Sequence, residues 1–428
     1  MKLFPSPWLA LRRRVRKPPR GRTVEEANAW NLYLDIAWFG VLSGIASAFL
    51  SIFALRLGAS NNLVGMLTAI PALINIVWLV PAARIIERQR QKMPVIILSG
   101  FLHRFAFLLI ALMPFFVSAY RAEMVVALVA LSTFPAAMAN VAFTSMMADV
   151  VPLAKRARVV SLRNILVGIT STTATLLGGK FLDYVVLPLN YQILFTVGFL
   201  SSLLSLYYVA RIKVTDAPPP GLSLAAARRT TLERLRSFWG MLSGRRPFVR
   251  FSVSSFVWYF GLFLPIPLYP IYWVRTLHAT DGWIGLIAMV NSATSVLAYP
   301  FWGRLASRRG NRPVLLLSTL GLITYPVLTA FSPSVEPLVF VAVLGGIFGA
   351  GLNLSLFNTM LEVCPDQRRP SYIAAYTTVI NVATFLAPLL GTALIDVIGI
   401  QPALLLGGAL RFLGFLFYFR LGVGAHGR

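Results

Sequence analysis

The chain has 428 residues, 57% of them hydrophobic and only 12% charged. Soluble domains carry about 25% charged residues, so water is not the main solvent here. The 39 Lys and Arg against 14 Asp and Glu leave a formal charge of +25, which would suit nucleic acid only if the cations were gathered on one face.

Residues 1–29 read as a basic cytoplasmic arm, with Arg12, Arg13, Arg14, Arg16, Lys17, Arg20 and Arg22 among several prolines. The arm has no clean apolar core and no small-residue cleavage site, so no cleavable signal peptide is expected. Apolar segments follow near 30–54, 63–83, 94–117, 123–148, 160–187 and 191–211. A basic stretch, 212–247, holds three prolines at 218–220. It then holds an amphipathic run in which Leu224, Leu232, Leu235, Phe238 and Trp239 would lie on the membrane surface beside four arginines. Six more apolar segments fall near 250–274, 283–303, 313–331, 337–361, 372–395 and 402–420, and 421–428 form a tail. A spanning helix needs about 20 apolar residues. The reading is therefore an all-α membrane protein with about twelve transmembrane helices, because an open strand leaves its backbone unpaired in lipid. The domains are 30–211 and 248–420, joined by the linker.

The loops alternate in charge. With the N-terminus cytoplasmic, only Arg56, Arg121 and Arg275 of the 39 basic residues fall outside, and Arg104, Lys180 and Arg411 fall within spans. The remaining 33 lie inside, as the positive-inside rule requires. Charge spread over many short loops does not suit nucleic acid, and none is expected as a partner. Both termini are placed in the cytoplasm, in a cell membrane.

The two halves repeat. At an offset of 213, Asn140 falls on Asn353, Asp149 on Glu362, Pro152 on Pro365, Arg156 on Arg369, Gly178 on Gly391 and Asp183 on Asp396. The segment LGASNNLVG at 57–65 is likewise similar to LHATDGWIG at 277–285. Between the eighth and ninth segments lies GRLASRRGNRP, Gly303–Pro313. It reads as a tight basic hairpin. Gly303 would allow close packing, Gly310 a turn and Pro313 a helix start. This hairpin resembles the loop signature of the major facilitator superfamily, with Ser307 where that family usually has Asp. The hairpin at 83–94, ARIIERQRQKMP, lacks both glycines. Two six-helix bundles of the same orientation are the parallel-repeat plan of that family, and the resemblance covers about 30–420.

Little else in the chain carries chemistry. Gly178-Gly179-Lys180 lacks the upstream glycine and the following Ser or Thr of a phosphate loop. His103, His278 and His426 form no metal spacing. No nucleophilic triad is apparent, so an enzyme is not expected and no cofactor or metal is implied.

The resemblance implies a secondary transporter working by alternating access on a small organic solute, coupled to a proton or sodium gradient. It also implies that spans 1, 4, 7 and 10 line a central cavity. Their polar residues are the substrate candidates: Asp35, Ser43 and Ser47; Asn140 and Thr144; Tyr259 and Tyr269; Asn353 and Asn358. Asn140 and Asn353 have an alternative role as amides bonding helix to helix. Intramembrane charges are costly and often functional, so Asp35 and Arg104 are candidates for coupling, either facing the cavity or paired with each other. Lys180 and Asp183, one turn apart, read as a local ion pair. Pro265, Pro267 and Pro270 should bend span 7. In the family, acids that close spans 4 and 10 latch the basic hairpins. The gating candidates are therefore Asp149, Arg156, Gly303, Arg308, Arg309, Gly310, Arg312, Glu362 and Arg369. Multidrug export is the first alternative, although span 4 has no Arg and span 5 no Gly-Pro pair, the marks of the drug-proton branch. A non-transporting sensor or scaffold on the same fold is the second. The protein is expected to act as a monomer.

Overall fold

The computed structural model describes residues 23–87, 89, 91–214, 246–364 and 369–423. The basic arm, the amphipathic linker run, Arg88 and the last residues of the tail lie outside that set. Twelve helical spans are present among the described residues. In the first half they are α1 Val24–Arg56, α2 Asn61–Glu87, α3 Lys92–Phe116, α4 Arg121–Val150, α5 Leu153–Tyr184 and α6 Leu189–Ala210. In the second half the seventh span is broken into α7 Arg246–Phe263, α8 Leu268–Ile271 and a π-turn Tyr272–Thr276. Then come α9 Asp281–Arg309, a ninth span split into α10 Asn311–Leu322 and α11 Thr324–Phe331, α12 Pro337–Val363, α13 Arg369–Ile398 and α14 Ile400–Arg420.

Helix α1 starts six residues earlier than its apolar run. Thr23 caps it by accepting a hydrogen bond from the Glu26 amide, and Glu25 and Glu26 occupy the positive first turn. Asp35 is therefore eleven residues in, roughly 16 Å along the axis at 1.5 Å per residue, rather than about five.

The two ends of the bundle differ in what joins the halves. At the end carrying residues 56–61, 184–189, 276–281 and 398–400, one apolar cluster runs through both halves. Phe49, Phe53, Tyr191 and Phe195 pack in the same core as Ile271, Val274, Ile284 and Leu338. The helices cross closely here. A Cβ on Gly285 would sit 2.8 Å from the Thr175 carbonyl oxygen, and one on Gly65 2.7 Å from Thr392 Oγ1. Thus α5 meets α9, and α2 meets α13, at related places of the repeat. At the opposite, basic end each half has its own cluster. Leu32, Ile86, Ile96 and Met146 belong to one, Phe248, Trp258, Leu356 and Tyr418 to the other.

The α9–α10 hairpin turns at Gly310, whose φ of 82° favours glycine. Gly303 does not support close packing in this state, because a Cβ there would have nothing within 4 Å. Cys364 caps α12 at the basic end and is buried. Poor thiol labelling there would report burial rather than sidedness.

Candidate functional site: a clasped end, a parted end and buried charge

The clasp at the closed end is built from the segments 57–65 and 277–285. Arg56, closing α1, donates through Nη2 to the Ala279 carbonyl at 2.9 Å and to Asp281 Oδ1 at 3.4 Å. Arg275, closing the π-turn, donates through Nη1 to Asn61 Oδ1 at 2.6 Å and through Nη2 to the Ala59 carbonyl. Ala59 and Ala279 hold the same place in the repeated segments, as do Asn61 and Asp281. Each half therefore extends an arginine to the same two groups of the other. The repeated aspartates reinforce this. Asp183 accepts from the Gly282 amide and from Thr280 Oγ1, each at 3.1 Å, at the N-terminus of α9. A carboxylate is favoured there by the unpaired amides and the helix dipole. Asp396 accepts from Asn61 Nδ2 at 3.1 Å. The local Lys180–Asp183 pair read from the sequence is corrected: Asp183 reaches across to the other half.

No hydrogen bond or ion pair between described residues joins the halves at the basic end. The gating candidates that bond among the described residues do so within their own halves. Asp149 accepts from Lys92 Nζ at 2.6 Å. Glu362 accepts from Asn311 Nδ2 at 2.5 Å, and Asn311 Oδ1 in turn accepts from Asn358 Nδ2 at 3.0 Å. Arg156 caps carbonyls of Ala148 and Val151 at the end of α4. Arg312 points at the Phe419 carbonyl, 3.4 Å away. Arg308 and Arg309 are exposed in the last turn of α9, and Arg369 opens α13. In the first turn of α5, ahead of the stretch Arg158–Tyr184 that is apolar enough to span, the exposed Glu25 carboxylate beside Lys155 holds that ammonium above the usual lysine range.

Where the halves part, a second exposed face appears on the helices. On α4, Leu131 is exposed, and nine residues on so is Asn140. Nine residues are two and a half turns, so Asn140 lies on the opposite face, with Thr144 one turn further. The same nine-residue relation separates exposed Thr173 from exposed Asn164 on α5, and exposed Leu386 from exposed Thr377 on α13. On α12, exposed Phe340 and Asn353 are 13 residues apart, which also turns them well away from each other. Asn140, Thr144 and Asn164 map at the offset of 213 onto Asn353, Phe357 and Thr377, all exposed. Asn140 and Asn353 bond to no other described side chain or backbone group, so the helix-to-helix role does not hold. Asn164 and Thr377 escaped the sequence reading, although the constant offset also pairs them.

Other substrate candidates are committed elsewhere. Asp35 is 4% exposed and does not face the gap. Its Oδ2 is 3.0 Å from Arg163 Nη1, and its Oδ1 accepts from Ser205 Oγ at 2.7 Å. Arg104 donates through Nη2 to the same Ser205 oxygen at 3.0 Å and through Nη1 to the Gly100 carbonyl. The expected Asp35–Arg104 pair is thus indirect. The direct partner, Arg163, was counted with the inner loops, but it is 8% exposed within α5 and lies over the Phe143 ring. Ser43 is half-buried, Ser47 is exposed and bonds back to its own helix at the Gly44 carbonyl as Thr144 does on α4, and half-buried Tyr259 stacks on Phe263.

Tyr269 is buried against Arg411, whose Nη2 lies 3.1 Å from its hydroxyl. Arg411 has no acidic partner among the described residues. It donates instead to the carbonyls of Gly261 at 3.1 Å, Leu322 at 2.7 Å and Leu262 at 3.4 Å. The reason lies in the prolines. Pro265 and Pro326 have no N–H, so each leaves the carbonyl four residues earlier unpaired. Those carbonyls are Gly261 and Leu322. One guanidinium serves both broken spans.

Among the described residues, no group of three or more His, Cys, Asp or Glu could hold a metal. Comparison with known proteins follows the fold. A family model described as Major Facilitator Superfamily matches residues 36–260 and 251–427. Curated relatives include the multidrug resistance protein MdtG of Proteus mirabilis (strain HI4320), 26% identical over 160 residues, which is 36% of this chain and 40% of that protein. MdtG of Rahnella sp. (strain Y9602) is 28% identical over 181 residues, 39% of this chain and 43% of the relative. These matches thus span less than half of the relatives' length. Similar solved structures include a D-xylose-proton symporter, with a TM-score of 0.71 at 15% identity over 94% of this chain and 99% of that one. A bacterial homologue of the human lysosomal transporter Spinster, in an inward-facing and occupied conformation, has a TM-score of 0.69 at 13% identity over 96% of this chain and 98% of that one.

Proposed function

Because the chain belongs to the major facilitator superfamily, we propose that it carries a small organic solute across the membrane by alternating access. The observation that carries this reading is the asymmetry of the two ends. The halves are clasped at one end by reciprocal polar contacts and part at the other, where uncharged polar side chains line the gap. Such an arrangement is one of the two states that a solute carrier must visit. The basic end is assigned to the cytoplasm by the distribution of Lys and Arg, so the state described is open inward, with both termini inside and the monomer as the working unit.

Coupling to a proton or sodium gradient is assigned to the Asp35 network. Asp35 is the one carboxylate within the described spans that lies away from a helix end. A rearrangement that pulls Arg163 or Ser205 from it would leave a buried carboxylate in need of a cation, and a proton is the smallest that serves. With the protein in proteoliposomes under an imposed pH or sodium gradient, a labelled solute that accumulates in the wild type should still exchange in Asp35→Asn but no longer accumulate. Accumulation by that variant removes Asp35 from coupling. Orientation is tested with cysteines in a Cys364→Ser background. A cysteine at exposed Tyr184 should react with an impermeant maleimide in intact cells, and one at Arg309 only in broken cells. The reverse pattern overturns the assignment.

A second reading, multidrug export, is favoured by the MdtG relatives. It is tested by whether cells lacking their own exporters gain resistance to several unrelated toxic compounds when they express this chain.

A further inference from the structure

The gap carries more information than its openness. Inside the described spans the charged side chains away from helix ends are Asp35, Arg104, Arg163 and Arg411. Each is buried to 8% exposure or less, and each bonds within its own half. None is exposed enough to meet a ligand from the gap. Polar groups exposed on that face include Asn140, Thr144 and Asn164 from one half and Asn353 and Thr377 from the other, with the Phe357 ring beside them. The threonine hydroxyls donate back to their own helices, Thr144 to the Asn140 carbonyl at 2.8 Å and Thr377 to the Ile373 carbonyl at 2.9 Å. Of these, the three asparagine amides are left with both a donor and an acceptor to offer.

We infer that this gap is a site for uncharged solutes that carry a carboxamide-like donor–acceptor edge on an apolar or aromatic body. The inference rests on the transport reading and names the substrate class for the same site. The physical reason is desolvation. When the gap closes around a solute, an ion must exchange water for a counter-charge. The gap supplies none, and the nearest buried charges are already bonded within their own halves, Asp35 to Arg163 and Arg411 to backbone carbonyls. An amide edge, by contrast, can exchange its two water bonds for the two bonds of a facing asparagine. The repeat presents Asn140 and Asn353 from opposite halves, so one solute edge can engage either half as the gap closes. Exposed arginines at the mouth, such as Arg158, Arg308 and Arg309, draw anions to the entrance but lie at the helix ends.

The test uses two sets of probes of nearly constant shape and different charge: benzamide, benzoate and benzamidinium; nicotinamide, nicotinate and 1-methylnicotinamide. Each is added at equal millimolar concentration to the purified full chain, and the melting temperature is followed, since a molecule that binds the folded state raises it. The neutral amides should raise it most. Asn140→Ala and Asn353→Ala should each weaken their apparent affinity about tenfold, while the melting temperature without probe stays put, because neither amide bonds within the protein. Asn140→Asp should shift preference toward benzamidinium. No shift from either neutral amide overturns the inference. So does a larger shift from either ion, or a neutral-amide shift that survives the double alanine variant. Flux distinguishes this failure from that of the transport reading. An ionised probe that binds and crosses proteoliposome membranes sinks the neutral site and leaves transport standing. A neutral probe that binds through Asn140 and Asn353, when no bound probe crosses, does the opposite.

Discussion

At the clasped end the halves hold each other, and at the basic end each half holds itself. The first arrangement uses mainly exposed or half-exposed polar groups at helix termini, Arg56, Arg275, Asp183 and Asp396, together with buried Asp281. The second uses charge buried deep within a half: Asp35 with Arg163, Ser205 and Arg104 in one, Arg411 with proline-freed carbonyls in the other. The difference has a physical logic. A contact that must break in each cycle should cost little to rehydrate, and groups at helix ends meet water as soon as they separate. A half that moves as a rigid body needs internal contacts that persist unless another charge takes their place, and buried ion pairs and backbone-capping guanidinium groups meet that need because no water is at hand to replace them; at Asp35 only an arriving cation could stand in for Arg163.

The comparison is broken most directly by removing the internal contacts. Asp35→Asn leaves Arg163 as a buried charge without a counter-ion, a change that costs about 3–5 kcal/mol. The expected outcome is a large fall in melting temperature. Adding Arg163→Leu should restore much of it, since losing both charges costs far less than losing one. A single variant that melts like the wild type would show that the pair does not hold the half together. Next comes Arg411→Met. It keeps the bulk but abandons the Gly261 and Leu322 carbonyls. With an unmet buried polar group costing roughly 1–3 kcal/mol, destabilisation should be about 3 kcal/mol. It should be relieved in part by Pro265→Ala, which returns an N–H to Gly261. Absence of that relief would separate Arg411 from the proline breaks.

The clasp variants should act on the conformational balance rather than on unfolding. Arg56→Ala removes a charged donor from the Ala279 carbonyl and from buried Asp281. At about 2 kcal/mol for hydrogen bonds to a charged group, the clasped state should lose roughly 30-fold in population relative to the opened one. Arg275→Ala faces a neutral amide and a carbonyl, so a smaller shift, about tenfold, is expected. Spin labels at Tyr184 and Val397, both exposed at this end on opposite halves, should report the longer distance. Equal populations in wild type and both variants would reduce the clasp to incidental contacts.

How much of this was readable from the residues depends on distance along the chain. The twelve spans follow from apolar runs and caps, which are local, and their bounds differ from expectation by a few residues, most at α1 and the basic ends of α5 and α9. The clasp lay in view as the repeated segments 57–65 and 277–285 and the repeated Asp183 and Asp396. Repetition does not say what touches what, and Asp183 looked like a partner for Lys180 because that residue is one turn away. Arg163 was missed for a related reason. It sits at the start of the segment 160–187, next to the inner-loop cations, and only the packing of α5 against α1 carries it to Asp35. Gly261 and Leu322 carry no side-chain signal at all. Their need for Arg411 comes from prolines four residues later, a rule that could have been applied to the sequence but names no partner.

The smallest effect is expected at the acid that closes α12. Glu362 accepts from Asn311, and Asn311 from Asn358, all within one half. A Gln at 362 still offers an amide oxygen to Asn311, so the state described should hardly change in stability. What Glu362→Gln removes is a charge for basic residues of the hairpins when the basic end closes. Such pairs are solvated on one side, and exposed pairs are worth about 0–1 kcal/mol. The balance should therefore move toward the parted basic end by less than about fivefold, read between labels at Ala148 and Arg308. A shift above tenfold would mean that the basic end, when closed, is gripped by charge as firmly as the clasped end, and the contrast between the two ends would hold for the described state but not for the cycle.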